Sequence, residues 1–150
     1  MDRRKHIHVE EFEVSQMRLF ALLCTPSSIC SWWGASSAIV IPEEGGIWVA
    51  SWGDEDDADY IAHARIQVFD APHRMVLDNY HYYAKSGPLP FEANFEVEFL
   101  VEGIGDAALL RVTQDGFPAG PEGDTFLKAC EDGWVEAFAG IRRLVEVKGY

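Results

Sequence analysis

The chain is poor in cysteine, poor in cations and without a long apolar run. Its three cysteines, Cys24, Cys30 and Cys130, are an odd number with no CxxC spacing. A disulfide-held scaffold carries a denser, even set, so these read as free thiols. The longest apolar stretch, residues 17–24, contains Arg18 and falls far short of the ~20 residues that span a bilayer. The basic start is followed by Glu10, Glu11 and Glu13 with no small-residue cleavage site, so it does not read as a signal peptide. A cytoplasmic protein without membrane contact is expected. Only 12 Lys and Arg stand against 25 Asp and Glu, a net charge of −13. Such a chain repels phosphate backbones, which excludes general nucleic-acid binding.

Signatures of bound groups are missing too. There is no phosphate loop, dinucleotide fingerprint or G-x-S-x-G elbow. The acidic run Asp54, Glu55, Asp56, Asp57 and Asp59 lacks the glycine and terminal glutamate of a calcium loop. It reads as a solvated hairpin. His6 and His8 share a strand face, but no third ligand follows at metal-site spacing, so they read as a solvated edge strand. No metal and no cofactor is expected.

Apolar and aromatic residues are plentiful, at 48% and 13% of the 150 residues, with five Trp, five Tyr and nine Phe. That suits one domain, residues 1–150, with a sizeable core. Residues 6–14 read as a strand. Ser15 is a good N-cap for a short helix over residues 16–24, and a second short helix follows Thr25-Pro26 and stops near Gly34. Turn signals then separate runs of strand length at 38–42, 46–52, 60–69, 75–83, 93–101 and 108–113. In 60–69, Tyr60, Ala62, Ala64, Ile66 and Val68 share one side. In 93–101, Phe95, Val97, Phe99 and Val101 oppose Glu96 and Glu98. Such alternation indicates a sheet with one face buried and one wet.

The period then changes to about 3.6. Phe126, Cys130, Trp134, Ala137, Phe138, Ile141, Leu144 and Val145 form one stripe of a helix running from Asp124 to about residue 147. A helix that long must bury its stripe on the sheet. The expected fold class is α+β: a curved antiparallel sheet of six to seven strands wrapped on a long C-terminal helix.

Several short motifs, in order and at matching spacing, carry a resemblance. They are Phe20-Ala21-Leu22-Leu23-Cys24-Thr25-Pro26, Ser31-Trp32-Trp33-Gly34, Gly45-Gly46-Ile47-Trp48, the stretch from Ala64 to Met75, Gln114-Asp115-Gly116-Phe117, and Cys130-Glu131-Asp132-Gly133-Trp134. Over roughly residues 6–147 the chain resembles the AHSA1-like family, the group related to the C-terminal domain of the activator of Hsp90 ATPase. That family lies within the START/Bet v 1-like (SRPBCC) superfamily, and the resemblance implies its helix-grip fold. Val68 stands where the family pattern usually has Glu, Gln114 and Cys130 where it often has His, and Ala108 where it often has Thr.

In such a fold the aromatics converge. Trp32, Trp33, Trp48, Trp52, Tyr60, Tyr80, Tyr82, Phe95, Phe117, Phe126, Trp134 and Phe138 are candidates to line a cavity between sheet and helix, each with ordinary core packing as the alternative. Asp78, Gln114 and Cys130 are its polar candidates. The preferred reading is a binding protein for an apolar or aromatic small molecule, with no recognisable catalytic motif. A cyclase- or hydrolase-type enzyme is the alternative, drawing on Asp78, Tyr80, Tyr82 and Gln114. The face occupied by Asp78 discriminates the two. The resemblance also implies a chaperone contact in a stress-response role, ranked third because the eukaryotic co-chaperones carry a further N-terminal domain for which this chain has no room. Edge strands and the tryptophan-rich segment are compatible with a homodimer.

Overall fold

The computed structural model describes residues 3–148, with side chains described from Arg4 to Glu146. The element order is β1 (Arg3–Phe12), α1 (Gln16–Cys24), α2 (Pro26–Trp33), β2 (Ser37–Val40), β3 (Ile47–Gly53), β4 (Ala58–Asp70), β5 (Arg74–Ala84), β6 (Phe95–Ile104), β7 (Ala107–Pro118) and α3 (Pro121–Lys148). The seven strands form one curved antiparallel sheet in the order β1-β7-β6-β5-β4-β3-β2. Six strands follow one another as a meander, and β1 closes the far edge beside β7.

Local chemistry sets the element ends. The Ser15 hydroxyl accepts from the Arg18 amide and caps α1. Pro26 opens α2, and Gly34 ends it in the left-handed conformation at φ 72°. Indole groups satisfy carbonyls that the short helices leave open. Trp32 Nε1 donates to Leu22 O at 2.7 Å, Trp48 Nε1 to Leu23 O at 3.3 Å and Trp52 Nε1 to Trp33 O at 3.2 Å.

The concave face of the sheet carries Met75, Leu77, Val97, Phe99, Val101, Leu110 and Val112, all buried beneath α1, α2 and the apolar stripe of α3. Glycine lets the helices approach. A Cβ on Gly140 of α3 would sit 1.9 Å from the Trp32 carbonyl oxygen of α2.

Three expectations need correction. Val68 does not continue the Tyr60–Ile66 face. A bulge between Ile66 and Val68 turns Val68 to pair with Val76, and puts Phe69 inside, 5.6 Å from the Phe20 ring. α3 begins at Pro121, not Asp124, because proline suits a first helical turn whose amides lack partners. His6 and His8 are not a solvated face. They point toward α3, where the His8 ring meets Phe138 edge-on at 4.4 Å and its Nε2 lies 2.7 Å from Glu10. Arg142 of α3 donates to Glu10 at 2.6 Å and lies over the Phe12 ring. Burial alone would raise the Glu10 carboxyl, but hydrogen bonds from Arg142 and His8 outweigh it and hold it below the usual carboxylate range. His6 is pushed below its ordinary value by burial, which the nearby Glu131 only partly offsets.

Candidate ligand cavity

A cavity of about 420 Å³ opens between the sheet and α3. The β3–β4 hairpin supplies Trp52 and Tyr60, which are direct cross-strand partners. α2 supplies Trp33, β5 supplies Tyr82 and β7 supplies Gln114. α3 contributes Ala129, Cys130, Gly133 and Trp134. These four sit on one face because they pair at i, i+4 spacing. Ala129 and Gly133 are not among the cavity residues that the sequence pattern points to. Their signal is small size: side chains large enough to reach the sheet would close the space.

The walls are aromatic. Trp33 and Trp52 meet at 85° with centroids 5.3 Å apart, and Trp134 lies 5.2 Å from Trp33. Tyr60 stands at the rim, 58% exposed. None of the lining residues carries a formal charge at neutral pH.

The polar end is a chain of hydrogen bonds with one orientation. Trp134 Nε1 donates to Gln114 Oε1 at 2.8 Å. An indole only donates, so the amide must turn its oxygen toward Trp134. Gln114 Nε2 then donates to the Tyr82 hydroxyl oxygen at 2.8 Å. With its oxygen accepting from Gln114, the Tyr82 hydroxyl keeps its own proton to donate. Burial raises Tyr80 and Tyr82 above the usual phenol range and pushes the Cys130 thiol up to about 12. All three groups are therefore protonated at neutral pH, and Cys130 is no thiolate nucleophile.

Of the residues singled out from the sequence, the structure brings Trp33, Trp52, Tyr60, Tyr82, Gln114, Cys130 and Trp134 around this space. Tyr80 is fully buried beside Tyr82. Trp48, Phe95, Phe117 and Phe138 are core. Trp32 is stacked on Trp33 at 5.0 Å and lines an adjoining cleft between α2 and α3 that shares Trp33, Trp52 and Gly133 with the cavity. Phe126 packs between Tyr82 and Phe91 of the β5–β6 connection, with centroids at 5.2 and 5.6 Å.

Asp78 is excluded from the cavity, and a bulge explains why. Simple alternation puts Asp78, Tyr80 and Tyr82 on one face. Between His63 and Arg65 the β4 strand advances two residues, while β5 goes three, from His81 to Asp78. The extra residue, Asn79, takes a positive φ of 49°. Tyr80 and Tyr82 thus turn inward, and Asp78 turns outward onto Arg65. Arg65 Nε and Nη2 donate to its two oxygens at 2.9 and 2.6 Å. This paired guanidinium holds the Asp78 carboxyl below the usual carboxylate range. His63 and His81 are cross-strand neighbours on the same wet face, both exposed. Among the described residues, no three His, Cys, Asp or Glu side chains cluster to hold a metal ion. No helix among them is long and apolar enough to cross a membrane.

A curved seven-stranded sheet closed around a long C-terminal helix, with two short helices between β1 and β2, defines a helix-grip protein of the Bet v 1-like class. The chain belongs to the family described as activator of Hsp90 ATPase homolog 1-like protein, whose model matches residues 13–146. Solved structures share the fold at low identity. Protein MLL2253 from Mesorhizobium loti superposes with a TM-score of 0.77 at 18% identity, covering 95% of this chain and 97% of that one. An HSP90 activator from Plasmodium falciparum, PFC0360w, gives 0.71 at 17% identity, with coverage of 97% and 96%. CalU16 from Micromonospora echinospora gives 0.66 at 17%, with coverage of 93% and 74%. No curated protein matches the sequence.

Proposed function

We propose that the protein binds a small apolar or aromatic molecule in the cavity between the sheet and α3. One observation carries this reading: a space of about 420 Å³ with aromatic walls and a single oriented polar end. That is the usual make-up of a small-molecule site, apolar around and polar at a few chosen points. The ligand lies against Trp33, Trp52 and Trp134, with the Tyr82 hydroxyl as its hydrogen-bonding contact. The enzyme alternative loses its carboxylate, because Asp78 is bound by Arg65 on the opposite face.

A panel of hydrophobic ligands tested by thermal shift and tryptophan fluorescence checks the proposal. Gly133→Leu is the control, since a Cβ there meets nothing within 4 Å and the longer side chain extends into the cavity. Binding to the parent and loss in the folded variant are expected. A panel without a single stabilising ligand overturns the reading.

The family membership and the likeness to the Plasmodium falciparum HSP90 activator favour a second reading, contact with a chaperone ATPase. Adding the protein to the ATPase of an Hsp90-type chaperone tests it. An unchanged rate, with no complex recovered, counts against this role.

A further inference from the structure

The acidic run and the aromatic cavity are separate in sequence logic but adjacent in the fold. Asp54, Glu55, Asp56 and Asp57 occupy the connection between Gly53, the last residue of β3, and Ala58, the first of β4. Behind the terminal Gly53–Ala58 pair, the next cross-strand pair is Trp52 and Tyr60, and both line the cavity. The turn therefore hangs at the cavity rim. Its carboxylates are exposed, and Lys85 is the cation paired there, on Asp57. Asp59 lines a neighbouring hollow with Tyr60, Lys85 and Ser86, so one cation faces the acidic run there. The field around the mouth is negative, within a chain of net charge −13.

The interior agrees in sign. An aromatic ring presents a negative face and attracts a cation placed over it. Trp33 is already enclosed by rings, stacked on Trp32 and packed against Trp52 and Trp134, so the rings offered at the rim are those of the cross-strand pair Trp52 and Tyr60. No Lys, Arg or His lines the space, so an anion finds no countercharge there. Arg143 lines the adjoining cleft, which shares Trp33, Trp52 and Gly133 with the cavity and also carries Glu136.

We propose that the cavity takes an apolar cation: an amine or quaternary ammonium carrying a hydrocarbon group, drawn in past the acidic β3–β4 turn and held on the tryptophan and tyrosine faces. This rests on the reading that the cavity binds a small molecule, and deepens it by assigning the ligand's charge. The hydrocarbon lies against Trp33 and Trp134, and the cationic head lies at the Trp52–Tyr60 pair beside the acidic turn.

Three probes of matched size separate the charge from the shape: phenethyltrimethylammonium, its neutral carbon isostere 3,3-dimethylbutylbenzene, and 3-phenylpropanoate. Binding to the full-length protein is read by tryptophan quenching and calorimetry at about 20 mM and about 300 mM salt, conditions that change screening strongly. The cation is expected to bind about tenfold or more tighter than the isostere at low salt, with the carboxylate weakest and the preference shrinking at high salt. The double variant Glu55→Gln/Asp56→Asn should weaken cation binding about threefold at low salt and leave the isostere unchanged. Trp52→Leu should remove most of the preference. An isostere or carboxylate that binds as tightly as the cation overturns this assignment while cavity binding stands. No binding by any probe, with Gly133→Leu indistinguishable from the parent, overturns both.

Discussion

At the residue scale, Gln114 decides most. It is the buried polar side chain that fixes the polar end of the cavity, accepting from Trp134 and donating to Tyr82. Replacing it with leucine keeps the volume roughly constant and strands two buried groups. Each unsatisfied group costs about 1–3 kcal/mol, so Gln114→Leu should lose about 2–6 kcal/mol in urea denaturation. A loss well under 1 kcal/mol would show that the chain of hydrogen bonds is not holding the site. Asp78 is the opposite case, a residue with the right chemistry on the wrong face. Its folded-state pKa is depressed by Arg65. The stability it contributes is therefore complete above its unfolded value of about 3.9 and is lost as pH falls through its lower folded value. Asp78→Asn should be less stable than the parent at pH 7, and the gap should close as both are acidified below about pH 4. A gap that stays constant with pH would sink the assignment. No pattern in residues 74–84 announces the bulge at Asn79. Alternation is a backbone rule, and one inserted residue reverses it for everything beyond.

At the element scale, the two short helices, the meander and the long final helix were legible, because hydrophobic period and capping residues write them directly into the chain. Ser15, Pro26 and Gly34 act at the ends their chemistry suggests. What stayed hidden was how the helices approach each other. Gly133 and Gly140 look alike in sequence, one helical heptad apart, yet they meet opposite surroundings. A Cβ on Gly133 faces open cavity, whereas on Gly140 it collides with the Trp32 carbonyl at 1.9 Å. Gly133→Ala should therefore gain up to about 1 kcal/mol from helix propensity. Gly140→Ala should lose about 1–3 kcal/mol, since backbone must shift and overpacking outweighs the same propensity gain. Urea midpoints of the two variants check this. Equal effects would mean that α2 and α3 are not in close contact at Gly140.

At the scale of the whole molecule, the aromatic content and the negative charge turn out to be arranged together. The aromatics gather inside the curve of the sheet. The carboxylates lie outside it and at the β3–β4 rim. Seven of the 12 cations are committed to pairs among the described residues: Arg4 with Asp124, Arg65 with Asp78, Arg74 and Arg111 with Glu98, Lys85 with Asp57, Lys128 with Asp132, and Arg142 with Glu10. That leaves a surplus of unpaired carboxylates whose mutual repulsion opposes folding. Salt acts on both contributions. It weakens the exposed pairs, each worth about 0–1 kcal/mol, and it screens the repulsion, which sums over many longer distances. At low ionic strength the Debye length is about 30 Å, comparable to the molecule, and near 0.15 M it is about 8 Å. Screening therefore removes most of the long-range repulsion but only part of each contact pair. The net effect should be stabilising. The melting temperature should rise by about 2–4 °C for each kcal/mol regained as sodium chloride is raised from about 10 to about 150 mM. Calorimetric scans at constant pH measure it directly. A fall over that range would mean that the ion pairs outweigh the repulsion, and that the acidic surface is better balanced than the charge of −13 implies.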